Sequence, residues 1–196
     1  DFAPRGALEK TEGSLTMGNN HVRNRYFFGL GTVGRDMLYS MVSMFLMVYL
    51  TEILNLPDST MWWMTGIMTV LRVFDAVNDP VMGVFVDNTR SRFGKFKPWI
   101  AIGGLFGGVL TVLLFTDLGL SGTAFIVVFT AVYLGWDLIY GMNDIAYWSM
   151  LPSLTLDQKE REKTGAFARI CANVGLFALV IGILPLTKAL GGDRTA

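Results

Sequence analysis

Asp75, Asn78 and Asp79 follow closely on Arg72. Positions 72, 75 and 79 fall at i, i+3 and i+7, so they form one stripe of a helix. Two carboxylates a turn apart, with an amide oxygen between them, suit a hard cation. They also suit a proton, because crowded carboxylates raise one another's affinity for it. A second stripe, Asp137, Tyr140, Asp144 and Trp148, repeats the rule downstream. There a carboxylate can accept hydrogen bonds from sugar hydroxyls, and an indole offers a flat apolar face to a pyranose ring. Arg169 adds a planar donor fork for sugar oxygens. Asp36 shares a helix face with Tyr39, Ser40 and Ser43.

Each of these residues also has a plainer reading. Arg72–Asp75 can be an intrahelical ion pair, Arg35 a counter-ion for Asp36, Asp137 a solvated residue at a helix end, and Trp148 an interface anchor. Gly103, Gly104, Gly107 and Gly108 fit close helix packing, with no Gly-Lys-Ser/Thr behind them to make a phosphate loop. Cys171 fits a small apolar helix position.

These residues are embedded in an unusually apolar chain. Of 196 residues, 52% are hydrophobic and 16% charged, against about 25% charged in soluble domains. Sixteen basic residues balance sixteen acidic ones, so there is no basic field to hold nucleic acid. One cysteine excludes a disulfide framework, and one histidine excludes a multi-histidine metal centre or a histidine triad. No cofactor is implied.

Five stretches approach the ~20 apolar residues that cross a bilayer as a helix. They run from about Tyr26 to Leu54, Met61 to Val86, Pro98 to Phe115, Thr123 to Leu151 and Thr164 to Leu190. The fold class expected is therefore an all-α membrane protein with five transmembrane helices. Residues 1–25 are too polar for a signal peptide and read as a flexible cytoplasmic N-terminal tail. Lys and Arg gather in that tail, at Arg90–Lys97 and at Lys159–Lys163, while the turns after the first and third spans have none. The positive-inside rule then puts the N-terminus in the cytoplasm.

Eight ionisable residues fall in or near the spans: Arg35, Asp36, Arg72, Asp75, Asp79, Asp137, Asp144 and Arg169. Each costs roughly 2.5–3.5 kcal/mol at a bilayer centre, on the order of 20 kcal/mol together. They are therefore expected to face an interior cavity. Five Asp against three Arg leave an excess of anion, which a bound cation or a proton would relieve.

The order of these blocks is recognisable. Arg72-Val-Phe-Asp75-Ala-Val-Asn78-Asp79-Pro80 resembles the second-span signature of the glycoside–pentoside–hexuronide:cation symporters, within the major facilitator superfamily. Gly83 through Asp87, Arg90, Arg92 and Gly94 to Trp99 resembles that family's loop between helices two and three. Asp144 to Pro152, Glu160 to Arg169 and Gly29 to Asp36 resemble three further blocks. The likeness covers about Tyr26 to Gly192, and is nearest to the lactose/galactoside and melibiose permeases.

The resemblance implies a fold of two six-helix bundles, of which residues 26–196 would supply helices one to five. Helix six and the C-terminal bundle would be missing partners in the same polypeptide. It implies cation binding by Asp75, Asn78 and Asp79, and sugar binding by Asp36, Tyr140, Asp144, Trp148 and Arg169. Asp75 and Asp79 would ligate metal only if sodium is the coupling ion. Asp87, Arg90 and Arg92 would make gating contacts on the cytoplasmic side. Where the family's sodium site has a threonine this chain has Gly141, which favours proton over sodium coupling. Arg35 and Asp137 also depart from the melibiose permease pattern. The function expected is cation-coupled sugar symport across the plasma membrane, with the bilayer, a sugar and a monovalent cation as partners. The alternatives are a non-transporting sugar receptor on the same fold and an intramembrane aspartyl hydrolase, for which no motif is present.

Overall fold

The computed structural model describes the backbone from Arg5 to Gly191 and the side chains of residues 22–189. The His21 side chain, residues 1–4 and the last five residues lie outside what is described. The described chain is helical: α1 (Arg5–Val48) continued by a π-turn (Tyr49–Ile53), α2 (Asp58–Asn88), α3 (Lys97–Leu114), α4 (Gly122–Leu154) and α5 (Gln158–Gly191). The ends of the last four expected spans fall within a few residues of α2 to α5.

Two expectations change. The segment read as a flexible tail is helical from Arg5. Pro4 precedes the helix and no proline interrupts residues 5 to 25, so nothing in the backbone chemistry stops helix propagation there. Secondly, among the described residues four helices are apolar enough to cross a membrane: Val22–Ile53, Lys97–Leu114, Gly122–Leu154 and Gln158–Ala189. α2 is not among them. Its 31 residues are ample in length, but Arg72, Asp75 and Asp79 interrupt its apolar run. Length and hydropathy alone do not make it a span.

The chain divides into two compact units, 1–37 with 151–196, and 38–150. In the second unit, Val42, Leu46, Leu50, Met64, Leu114, Phe129 and Trp136 form a continuous core. Several polar groups in and beside it bond across helices. Trp136 Nε1 donates to Thr111 Oγ1 at 3.0 Å, and Thr111 in turn donates to the Gly107 carbonyl at 2.8 Å. Asn143 Nδ2 donates to the Ile100 carbonyl at 3.0 Å, tying α4 to α3. Such bonds matter more where no water can substitute. The α2–α3 loop turns at Gly94, whose φ of 91° is open to glycine and strained for other residues. Trp99 Nε1 donates to Thr89 Oγ1 at 2.8 Å and fastens the start of α3 to the end of α2.

Of the four α3 glycines, only Gly103 meets a neighbour closely. A Cβ there would collide with the Asn143 side chain, whereas Cβ atoms at Gly104, Gly107 and Gly108 would meet nothing within 4 Å. The packing role expected of all four therefore belongs to one.

In the first unit α1 and α5 meet through small residues. Gly29 admits the Phe167 ring and Cys171, and Gly175 lies against the Val33 carbonyl and Met37. Tyr26 packs edge-on to Phe167, with ring centroids 5.2 Å apart. Asp157 caps α5, its Oδ1 accepting from the Lys159 amide at 3.0 Å. Beside the cap, Glu160 accepts from Arg25 of α1 and from Lys163 at 2.7 Å. These charged first turns precede the apolar stretch of α5. The two cations hold the Glu160 carboxyl below the ordinary glutamate value of 4.5.

Gly103→Ala should destabilise the protein by about 1–3 kcal/mol, as overpacking does, whereas Gly104→Ala should be neutral or slightly stabilising. Thermal unfolding in detergent separates the two. Because Glu160 is depressed in the folded state, its pairs add stability above pH 4.5 and lose it as pH falls through the lower folded value. Unfolding midpoints measured down an acid series should therefore drop less steeply for Glu160→Gln than for the parent.

Candidate functional site

The second unit holds a cleft of about 350 Å³ walled by α1, α2 and α4. α2 contributes Arg72, Asp75, Ala76, Asn78 and Asp79; α4 contributes Asp137, Tyr140, Gly141 and Asp144; α1 contributes Tyr39. The two helical stripes thus converge. The cation candidates Asp75, Asn78 and Asp79 and the sugar candidates Tyr140 and Asp144 share one cavity. Its volume lies at the lower end of small-molecule sites, about 300–1,000 Å³.

The charge balance is sharper in this cleft than along the whole chain. Four carboxylates (Asp75, Asp79, Asp137 and Asp144) face one guanidinium, Arg72. Asp137 Oδ2 is buried and has no hydrogen-bond partner. Its carboxyl lies within interaction range of Asp75, Asp79 and Arg72. A buried carboxylate oxygen without a donor is costly, and a bound cation or a proton removes the cost. The reading of Asp137 as a solvated helix-end residue does not hold, because the residue is only partly exposed and lines this cleft.

Neutral oxygens also lie in the cleft. Asn78 supplies an amide. Pro80 lies inside α2 and has no N–H, so the Ala76 carbonyl four residues earlier lacks its helical donor. Ala76 lines the cleft. Gly141 stands opposite Asp79: a Cβ built there would lie 3.9 Å from Asp79 Oδ1. A hydroxyl-bearing side chain at 141 would thus fit beside that carboxylate, and the glycine supplies none. Among the described residues no group of three or more His, Cys, Asp or Glu forms a metal cage.

An aromatic stack backs the cleft. Tyr39 lies 5.0 Å from Tyr140 with planes 23° apart, and Tyr140 lies 5.4 Å from Trp136 with planes 12° apart. The stack runs on from Trp136 to Tyr133, Phe129 and Phe125, each pair within 6.0 Å. Trp136 is 1% exposed, so the stack is anchored in the core.

Other expected site residues are not among the cleft's lining residues. Asp36 and Arg169 belong to the first unit. Arg35 donates twice to Asp36 Oδ1, from Nε at 3.0 Å and Nη2 at 2.7 Å, which is the counter-ion arrangement. Trp148 lies one turn beyond Asp144, edge-on to Tyr147 at 6.2 Å, and is not among the cleft's walls. Asp87 pairs with Lys95 at 3.0 Å, a loop lysine that the gating assignment left out, while Arg90 and Arg92 are exposed or partly so in the same loop. Arg72 and Asp137, expected to face an interior cavity, do line this one, but the sequence reading gives neither a binding role, and Tyr39, placed there only on the Asp36 face, lines it too. The signal was present, since Tyr39 shares a face with Asp36, and Asp137 begins the stripe that carries Asp144.

Comparison with known proteins agrees with this architecture. The family model for MFS/sugar transport proteins matches residues 27–196, and the chain belongs to that family. It is 35% identical to a lactose permease of Lactobacillus delbrueckii subsp. bulgaricus over 83% of this chain and 27% of the permease. It is also 35% identical to the raffinose carrier protein of Pediococcus pentosaceus, over 89% of this chain and 29% of the carrier. The inner membrane symporter YicJ of Escherichia coli is 29% identical over 88% of this chain and 37% of the symporter. The chain spans under a third of the length of the first two relatives. The resemblance to the glycoside–pentoside–hexuronide:cation symporters is upheld, and with four apolar helices the chain is part of a multi-pass membrane protein.

Proposed function

We propose that the chain is the N-terminal part of a carrier that takes up a sugar together with a cation. The observation that carries this reading is the shared cleft, in which Asp75, Asn78 and Asp79 lie with Tyr140 and Asp144. A cation or proton among the α2 carboxylates lowers the negative field in the cavity. Asp144 can then accept hydroxyl hydrogen bonds without facing uncompensated charge. Each ligand thereby favours the other, and the linkage is reciprocal.

Alternating access in such carriers moves one bundle against another around a midplane site. A sixth helix and a C-terminal bundle would supply the moving partner and the remaining cleft wall. They would also cover the charged face of α2, which explains how a helix with Arg72, Asp75 and Asp79 is held within a bilayer. Asp36, Trp148 and Arg169 are assigned to the sugar, and Asp87, Arg90 and Arg92 to cytoplasmic contacts. The N-terminus is assigned to the cytoplasm by the basic loops.

The substrate is a galactoside or a related glycoside, supported by the lactose permease and raffinose carrier among the relatives. The coupling ion is the proton: Gly141 beside Asp79 offers no neutral ligand for sodium. The carrier should accordingly alkalinise the medium when lactose or melibiose is added to de-energised cells without sodium. A sugar response that requires sodium and moves no protons would refute proton coupling.

Two variants sharpen the assignment. Asp79→Asn should abolish sugar accumulation driven by the ion gradient while downhill sugar entry persists, and unchanged accumulation would sink the cation role. Gly141→Thr places a hydroxyl beside Asp79 and should introduce sodium stimulation of sugar binding. Titration of binding against sodium in membrane vesicles reads this directly.

A further inference from the structure

Tyr39 is the cleft residue whose role is least explained by cation binding. Core aromatics of the same stack are closed off, with Tyr133 4% and Trp136 1% exposed, whereas Tyr39 is 36% exposed. It does not simply face lipid, because it lines the cavity that holds Arg72 and the α2 carboxylates. Its ring is also held firmly. Tyr140 stacks on it at 5.0 Å, and Trp136, nearly parallel at 15°, lies 6.3 Å away. Trp136 is itself fixed by its hydrogen bond to Thr111. At the other end Tyr39 lies within interaction range of Arg72, which lines the same cleft. A phenol oxygen can accept from such a cation while its own O–H donates.

We propose that Tyr39 contacts the sugar: its ring forms an aromatic wall of the binding cleft, and its hydroxyl donates to a sugar oxygen. This rests on the reading of the protein as a sugar carrier. A pyranose has an apolar C–H face and a rim of hydroxyls. A ring anchored from behind, with a donor at its tip and the Asp144 carboxylate in the same cavity, matches both features. Arg72, Asp75 and Asp79 line the same cavity, so the wall borders the cation carboxylates. The ring orders little on binding, because stacking has already fixed it, and pre-organisation of this kind favours affinity.

The test is equilibrium binding of p-nitrophenyl galactoside to the full-length carrier in membrane vesicles, with thermal unfolding measured on the same preparations. Tyr39→Leu removes the ring and should raise the dissociation constant about tenfold, which corresponds to about 1.4 kcal/mol, with an unchanged unfolding midpoint. Tyr39→Phe keeps the ring and should recover most of that loss. Tyr39→Trp, which also keeps a flat face, takes the place of the leucine variant's comparison if that protein fails to insert. The proposal is overturned if Tyr39→Leu binds as tightly as the parent, or if Phe and Leu weaken binding equally while lowering the unfolding midpoint. A parent carrier that binds neither this probe nor another glycoside overturns the functional reading itself, and does so before any variant is made.

Discussion

The cost of placing charge in hydrocarbon governs this protein. Arg72, Asp75 and Asp79 lie in the middle of α2, where each would be expensive against lipid. A helix that carries them can be kept in a membrane only if their stripe faces other polar groups or water. The structure answers with a cleft in which that stripe meets a matching one from α4. The same requirement that makes α2 too polar to count as a span by hydropathy makes it the wall of the cavity. Transport chemistry and the tolerance of charge are here one problem with one solution.

Packing around the cleft shows how such a cavity stays open. An open cavity must have walls that do not collapse into it. On the α4 side the wall is an aromatic stack running from Tyr39 through Tyr140 and Trp136 to Phe125, anchored where Trp136 bonds to Thr111. Behind it, Asn143 reaches the Ile100 carbonyl across the space that Gly103 leaves vacant. The first unit uses the same device at Gly29 and Gly175. In a bilayer, where apolar surface gains nothing by leaving lipid, close approach through small residues and satisfied polar bonds supply the cohesion.

The cleft holds an excess of carboxylate over guanidinium. A neutral network would hold the helices together and do nothing more. Four carboxylates against Arg72, with one buried oxygen of Asp137 unpartnered, form a site that improves when a positive ion arrives. Gly141 and the Pro80-freed Ala76 carbonyl then bear on which ion that is, since they set how many neutral oxygens stand near Asp79. On the proposed reading, the charge excess and the number of neutral ligands would be separate controls, the first on coupling and the second on ion choice.

Much of this was legible in the residues. The apolar runs predicted the helices, because a bilayer demands length and hydropathy that few other environments do. The i, i+3, i+7 spacing put Arg72, Asp75 and Asp79 on one face and Asp137, Tyr140 and Asp144 on another, because helical periodicity is local. What spacing cannot do is say which face meets which. That Gly103 and not Gly104 admits Asn143, and that Tyr39 joins the cleft, depend on helix rotation and approach. Those are set by side-chain packing between segments distant in sequence, a property of the assembled helices that no single stretch of the chain contains.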